Sequence, residues 1–358
     1  MSGSSLDGLD IACVEFDEQG GRWAYQVMAA SCRSYSAEWM ERLREAPSLS
    51  ARDYLLLHTE YGHYIGREVL AFIDEHGLNY QVGLVASHGH TSIHLPPQVT
   101  GQLGCGAAIA AETGLPVVAD LRAMDVAFGG QGAPIVPVGE KMLLGDYPYF
   151  LNIGGIANIS HNAPGGYIAF DVCPANRVLN MLAARRGMAY DAGGSLAAAG
   201  NLRQDLLQQL NRQSYYDQPY PKSLANDFGT HTLYPIIGSL AESQTEDALR
   251  TYTEHIAQQV RRALVMLLSA SGSSDAGGAR MLVTGGGAFN QFLVSRIRDL
   301  TAPLGLEPVV ADDSLAAYKE ALIMAFLGVL RWREEVTVLA SVSGARQDSI
   351  GGALWKPQ

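Results

Sequence analysis

The residues best spaced for chemistry fall in three glycine-rich segments: Gly3-Ser4-Ser5-Leu6-Asp7-Gly8-Leu9-Asp10, Gly154-Gly155 and Gly285-Gly286-Gly287. Glycine tolerates positive φ and has no side chain, so consecutive glycines let backbone N–H groups come close to phosphate oxygens. One such turn most often closes a hairpin. Three at the ends of expected strands, one of them in a strand-Gly-Gly-Gly-helix context, point to phosphate binding, and a helix N-terminus adds a dipole that favours anions. No GxxxxGK[ST] occurs, which disfavours the P-loop class.

A second group consists of side chains at strand ends. Phe170-Asp171-Val172-Cys173-Pro174-Ala175-Asn176 places a carboxylate at a strand end just before a helix start. Asp171 is either a brace for that turn or a general base, since open α/β sheets put ligands at the carboxyl ends of strands. Cys173 has no histidine within the motif and reads as a small buried residue. Ser87-His88-Gly89-His90-Thr91 follows another strand end. Two histidines at i, i+2 can ligate a metal, but no carboxylate completes a set, so no metal site is firmly assigned and local hydrogen bonding is expected. His94 reads as exposed. Arg122, in Asp120-Leu121-Arg122, is either an ion-pair partner of Asp120 or Asp125 or a clamp for an anionic ligand. The Gly129-Gly130-Gln131-Gly132-Ala133-Pro134 stretch suits a hinge.

The elements that position these residues come in two similar sets. Asp10–Phe16 and Tyr25–Cys32 read as strands across a Gly20-Gly21 turn, followed by helices at Ala37–Glu45 and Ala51–His76. The second helix carries Leu55, Leu56, Tyr61, Ile65, Val69 and Phe72 as its apolar face. Strands at Gly83–Ser87 and Leu115–Asp120 follow. The pattern restarts with Tyr149–Ile153 and Ile156–Ser160 around a two-residue turn, a strand at Tyr167–Val172 and a helix from about Asn176. A helix at Ala248–Ser269, strands at Arg280–Thr284 and Glu307–Ala311, and strand-like pieces at Val336–Val342 and Gly352–Trp355 complete the chain. This predicts two α/β domains, a first of residues 1–124 with 334–358 and a second of 125–333.

Composition narrows the class. The 358 residues exceed one typical core, and 47% hydrophobic content supports folded domains. A net charge of −11 argues against a nucleic-acid or anionic-membrane surface. Cys13, Cys32, Cys105 and Cys173 form no CxxC pair, which fits a reducing cytoplasm. The longest apolar run, Ala321–Leu330, is too short to span a bilayer and reads as a buried helix.

Taken in order, Met1–Asp10, Ser87-His88-Gly89, Asp120-Leu121-Arg122 with Gly129–Pro134, Asn152–Asn158, Phe170–Asn176 and Thr284–Asn290 resemble the anhydro-N-acetylmuramic acid kinase family over nearly the whole chain. The resemblance implies a two-lobed actin/hexokinase-type ATPase fold of duplicated ribonuclease H-like domains that close over nucleotide and sugar. It also implies ATP and Mg²⁺, the sugar 1,6-anhydro-N-acetylmuramic acid, a cytoplasmic homodimer, and a role in peptidoglycan recycling. By matching position, Gly3 to Asp10 form the first phosphate loop, with Asp7 or Asp10 near Mg²⁺. Gly154 and Gly155 form the second, and Gly285 to Gly287 border the nucleoside. Asp171 is the base, while His88, Arg122 and Glu320 touch the sugar or order the site. Lys222-Ser223-Leu224-Ala225 departs from the family's Lys-Ser-Thr-Gly, and Cys173 stands where glycine is usual. Family members also carry residues ahead of Met1-Ser2-Gly3 that form a first strand, so either the start is misassigned or truncated, or the first lobe lacks an edge element that positions the phosphate loop. A kinase of the same fold acting on a free hydroxyl, and a non-catalytic nucleotide-binding regulator, are the alternatives.

Overall fold

The computed structural model describes every residue except Ser4, Ser5, Asp7, Pro164, Gly165, Pro221, Ala225, Asn226 and Gln358. The chain divides into two compact units, Met1–Gly145 with Tyr318–Gln358, and Asp146–Ala317. Residues 125–145 and 318–333, assigned to the second domain on sequence, thus fall in the first. The reason is a shared core: Val118 and Leu121 pack with Ile135, Val138, Ile323 and Phe326.

In the first unit, strands β1 (Gly8–Gln19) and β2 (Arg22–Ser34) form an antiparallel pair, with one irregularity between Cys13 and Val14. Helix α1 (Ala37–Glu45) starts at Ser36, whose side chain accepts from the N–H of Trp39. Ser50 caps α2 (Ala51–Glu75) in the same way through Asp53. The buried face of α2 is Leu57, Tyr61, Ile65, Val69 and Phe72, close to an i, i+4 row. Leu55 and Leu56, read as part of that face, are 62% and 53% exposed because they lie off the row.

Strand β3 (Val85–Ala86) leads to a hairpin of β4 (His90–Leu95) and β5 (Val99–Leu103), strands that were not among those expected from the sequence. Helix α3 (Gly106–Thr113), strand β6 (Val117–Ala119), and helices α4 (Ala123–Ala127) and α5 (Pro137–Leu143) follow. After the second unit the chain returns through α12, introduced below. The short helix α13 (Ala340–Ser343) stands where a strand was expected. Val338 makes only an isolated bridge to Ser349. Strand β12 (Ala353–Trp355) completes the order β12-β6-β3. The pairs β1-β2 and β4-β5 are separate two-stranded sheets of this unit, and a cavity of about 540 Å³ lies between β1 and β3.

The second unit is one five-stranded sheet, ordered β9-β8-β7-β10-β11. Strands β7 (Tyr149–Ile153), β8 (Ile156–Ala163) and β9 (Gly166–Pro174) form an antiparallel meander. Strands β10 (Ala279–Thr284) and β11 (Leu306–Val310) extend it in parallel from β7. A meander continued by two parallel strands is the ribonuclease H-like order. Helix α6 (Asn176–Ala183) follows β9, and α7 (Ser195–Ala199), α8 (Gln204–Asn211) and α9 (Tyr234–Ile237) are short. Helix α10 (Thr245–Ala270) buries Ile256, Val260, Leu264, Leu267 and Leu268 in the core. Helix α11 (Gln291–Thr301) follows β10, and α12 (Asp313–Trp332) leads back into the first unit, taking in the apolar run 321–330. Among the described residues no helix is long and apolar enough to cross a membrane.

Candidate active site

The second unit brings two of the three glycine segments together. β10 ends at Thr284, and Gly285 turns with φ 81° onto β7: a Cβ there would lie 2.6 Å from Asn152 Oδ1 and 2.8 Å from the Ile153 carbonyl. A Cβ on Gly287 would lie 2.2 Å from Ile153 Cγ2. Both glycines are required by this close approach. Gly286 is different: it is exposed and a Cβ would meet only Asn176 Nδ2, at 3.7 Å. Asn290 then caps α11 by accepting from the N–H of Leu293 at 2.9 Å.

Ile153 leads straight into Gly154-Gly155. The rung Ile153↔Ala157 leaves three residues in the connection, one more than the two-residue turn expected, and neither glycine has positive φ. Their carbonyls accept from the start of α6: Gly155 O from Ala175 N at 2.8 Å, and Gly154 O from Asn176 N at 3.1 Å. Asn176 Nδ2 also donates to Ile153 O at 3.0 Å. The loop thus saturates the first amides of α6 with its carbonyls, and what it can present to an anion is its own N–H groups.

Asp171 lies on β9 opposite Asn158 of β8. Its Oδ2 accepts from the N–H of Leu224 at 2.8 Å, its N–H donates to Lys222 O at 3.2 Å, and its carbonyl accepts from Tyr215 Oη at 2.7 Å. Burial raises the carboxyl pKa, and the Leu224 N–H partly offsets this. Leu224, which stands where the family pattern has Thr, supports Asp171 through its backbone N–H, and Lys222 does so through its carbonyl. Tyr215 carries no motif, and the Lys222-Ser223-Leu224-Ala225 stretch was read only as a departure from the family pattern, so sequence reasoning missed their contacts with Asp171. Cys173 is fully buried, as expected, and burial pushes its thiol far up.

In the first unit Arg122 and His88 are in direct contact. Arg122 Nε donates to His88 Nε2 at 2.8 Å, and Nη1 donates to Gly132 O at 2.5 Å. Neither Asp120 nor Asp125 is its ion-pair partner. Asp125 instead accepts from Gly132 N at 2.7 Å and Ser343 Oγ at 2.5 Å, bracing the glycine stretch. Burial lowers the Arg122 pKa to about 10, with Glu320 and Asp125 favouring the charged form. Burial, then Arg122, pull His88 well below its ordinary value. Glu320 itself is exposed on α12. Asp120, just past β6, adopts φ 56°, a conformation uncommon for a non-glycine residue and often found at functional turns.

The first glycine segment lies in this unit, with Ser4, Ser5 and Asp7 outside the described residues. Leu6 has φ 58°, and its N–H donates to Gly3 O at 3.4 Å. Gly8 packs against β2, where a Cβ would lie 2.5 Å from Cys32 Sγ, and Leu9 is buried in the core. Asp10 is half-buried at the start of β1. The segment is anchored by Ser2: its hydroxyl lies 3.1 Å from His90 Nδ1 and accepts from Tyr35 Oη at 2.9 Å. His90 is thus a buried structural partner, and His94 is exposed, its Nδ1 3.2 Å from Thr100 Oγ1.

A family model described as anhydro-N-acetylmuramic acid kinase matches residues 1–357. A protein of that name from Paramagnetospirillum magneticum is 33% identical over 368 residues, covering 98% of this chain and 97% of that protein. One of the same name from Francisella tularensis subsp. novicida is 32% identical, covering 99% and 97%. Among solved structures, a Schistosoma mansoni hexokinase complexed with glucose gives a TM-score of 0.38 at 10% identity, covering 89% of this chain and 84% of that one.

Proposed function

The chain belongs to the anhydro-N-acetylmuramic acid kinase family and is a phosphotransferase; on that premise we propose that it opens the 1,6-anhydro ring of its sugar and phosphorylates O6 with ATP. The products are N-acetylmuramic acid 6-phosphate and ADP, and the role is recycling of cell-wall sugars by a cytoplasmic homodimer.

The observation that carries this reading is Asp171, a desolvated carboxylate steadied by one backbone N–H at the end of a strand that runs into α6. A base needs a raised pKa and a fixed orientation, and this carboxylate has both. Asp171 takes a proton from water as the water oxygen bonds to C1. The C1–O6 bond breaks, and O6 bonds to the γ-phosphorus as its bond to the ADP oxygen breaks. The phosphorus thus receives the departing alkoxide, so no second carboxylic acid is needed to protonate it, unlike the glycosidase arrangement.

ATP is assigned to Gly3, Ser4, Ser5, Leu6, Asp7, Gly8, Leu9 and Asp10 in the first unit, and to Gly154, Gly155 and Gly285–Gly287 in the second. Gly286, exposed and open, is where the backbone can approach the nucleotide. His88, Arg122 and Glu320 are assigned to the sugar; Arg122 is a shielded cation bonded to two neutral acceptors, as an anion site requires. Among the described residues no group of three His, Cys, Asp or Glu could hold a metal. Mg²⁺ needs less, because one or two carboxylates with substrate phosphates suffice, and Asp10 fits that role. When bound, the ion would neutralise phosphate charge.

Turnover in ¹⁸O-labelled water tests the reaction. One label at C1 of the 6-phosphate is expected; an unlabelled product would show that water does not open the ring.

A further inference from the structure

The hydroxyl of Ser2 belongs to a longer run of buried polar contacts in the first unit. Tyr35, just past β2, donates to Ser2 Oγ at 2.9 Å, and the hydroxyls of Tyr35 and Tyr61 lie 2.5 Å apart. Ser2 Oγ in turn lies 3.1 Å from Nδ1 of His90, the first residue of β4. All four residues are buried, and Tyr61, on α2, is fully so.

Donor counting gives the run a direction. Tyr35 has one hydroxyl proton and gives it to Ser2, so Tyr61 is the donor to Tyr35. Ser2 then has its own proton for His90 Nδ1, which takes it as the unprotonated nitrogen of a neutral ring. Burial favours these states, because it lowers the His90 pKa and raises those of Tyr35 and Tyr61. The links run one way, from Tyr61 to Tyr35 to Ser2 to His90.

Rigid elements hold both ends of this chain. Tyr61 packs in the core with Leu57 and Ile65, and its ring meets Trp39 of α1 and Tyr64 of α2 at centroid distances of 5.5 and 5.9 Å. His90 pairs with Leu103 across the β4-β5 hairpin. Gly89 before it lies so close to β5 that a Cβ would stand 2.2 Å from the Leu103 carbonyl. The core needs only the tyrosine rings. A hydroxyl buried there is costly unless it is bonded, and this chain is what bonds these two.

Ser2 is also where the first glycine segment closes. Its backbone bridges Leu9 of β1 in the antiparallel sense and His90 in the parallel sense. Residues 3–8 therefore leave and rejoin the fold at one point, between Ser2 and Leu9. We propose that Tyr61, Tyr35 and His90 are positioning residues for this segment: through Ser2 they fix its closing point, and with it the direction in which its N–H groups meet the phosphates of ATP. The proposal rests on the assignment of residues 3–10 to ATP made above.

The test uses the full chain with three substitutions. Tyr35→Phe and Ser2→Ala each break the chain, while Tyr64→Phe removes a hydroxyl of the same ring cluster from outside it. Without nucleotide, amide exchange at Gly8 and Leu9 is expected to quicken about tenfold in the first two and to stay parental in Tyr64→Phe. ATP is expected to bind about tenfold more weakly to the first two. Adenosine, which carries no phosphate, is expected to bind all variants alike. The double variant is expected to lose no more than either single one, because both act on one chain. Parental exchange in Tyr35→Phe and Ser2→Ala, or an equal loss in Tyr64→Phe, would overturn the proposal. Quickened exchange with parental ATP affinity would instead overturn the assignment of residues 3–10 to ATP, so the two failures are told apart.

Discussion

The guanidinium of Arg122 and the imidazole of His88 are in direct contact, Nε donating to Nε2 at 2.8 Å. Arginine has no acceptor, so Nε2 of His88 must be unprotonated, which leaves the proton on Nδ1, 3.0 Å from the Gly89 carbonyl. The imidazole is therefore neutral, in line with the downward push on its pKa. Its work is to orient Arg122 without cancelling the charge.

Replacing that fork with a point charge separates geometry from charge. Arg122→Lys keeps the cation but cannot reach His88 Nε2 and Gly132 O in one plane. A stability loss of about 1–3 kcal/mol is expected from the unsatisfied acceptors. The sugar KM is expected to rise roughly tenfold, with kcat less affected. Denaturant melts and steady-state kinetics measure the two effects.

Asp171→Asn tests the base directly. General-base loss costs roughly 10²–10⁴ in turnover. Stability should hold or rise at neutral pH, since the folded chain favours the protonated form of Asp171 and ionisation above the unfolded pKa works against folding. In the parent, kcat/KM should fall with acid at a pH above the usual carboxylate range. A variant with parental turnover would remove Asp171 from the chemistry.

The third glycine segment allows a contrast between neighbours. Gly287→Ala drives a methyl into Ile153 and should destabilise the second unit by about 1–3 kcal/mol. Gly286→Ala meets nothing closer than 3.7 Å and should leave Tm unchanged while raising the ATP KM. A thermal melt and an ATP titration on each variant decide whether Gly286 faces nucleotide.

His255 makes stability depend on acid. Buried in α10, it lies between Tyr216 Oη at 3.0 Å and Asn211 Oδ1 at 2.7 Å, and burial lowers its pKa to about 3. The unfolded chain takes up a proton below its ordinary 6.5 while the folded chain does not, so stability falls as pH drops through that window. By pH 5 the loss from this group is about 2 kcal/mol. His255→Gln should flatten the change in unfolding free energy between pH 6.5 and 5, measured by denaturant titration at each pH.

Local pattern was enough for much of this protein. The apolar spacing of Tyr61, Ile65, Val69 and Phe72 announces most of the buried face of α2, and β7-β8-β9 follow from alternation and glycine turns. The strand-end position of Asp171 and the order of the glycine segments selected the family, because those signals lie within a few residues of one another. Even so, the pattern put Leu55 and Leu56 on the wrong face, since adjacent leucines look alike until the helix packs.

Contacts distant in sequence belonged to the tertiary structure alone. Leu224 N–H on Asp171, His88 as the acceptor for Arg122, and Asp125 as a brace for Gly132 join residues seven to fifty-three apart. None of these pairings is favoured by local propensity; each exists because folding leaves a buried donor or acceptor that must be met. The same holds for the cavity between β1 and β3. Its walls come from β1, β3, α2 and α12, which no local pattern brings together.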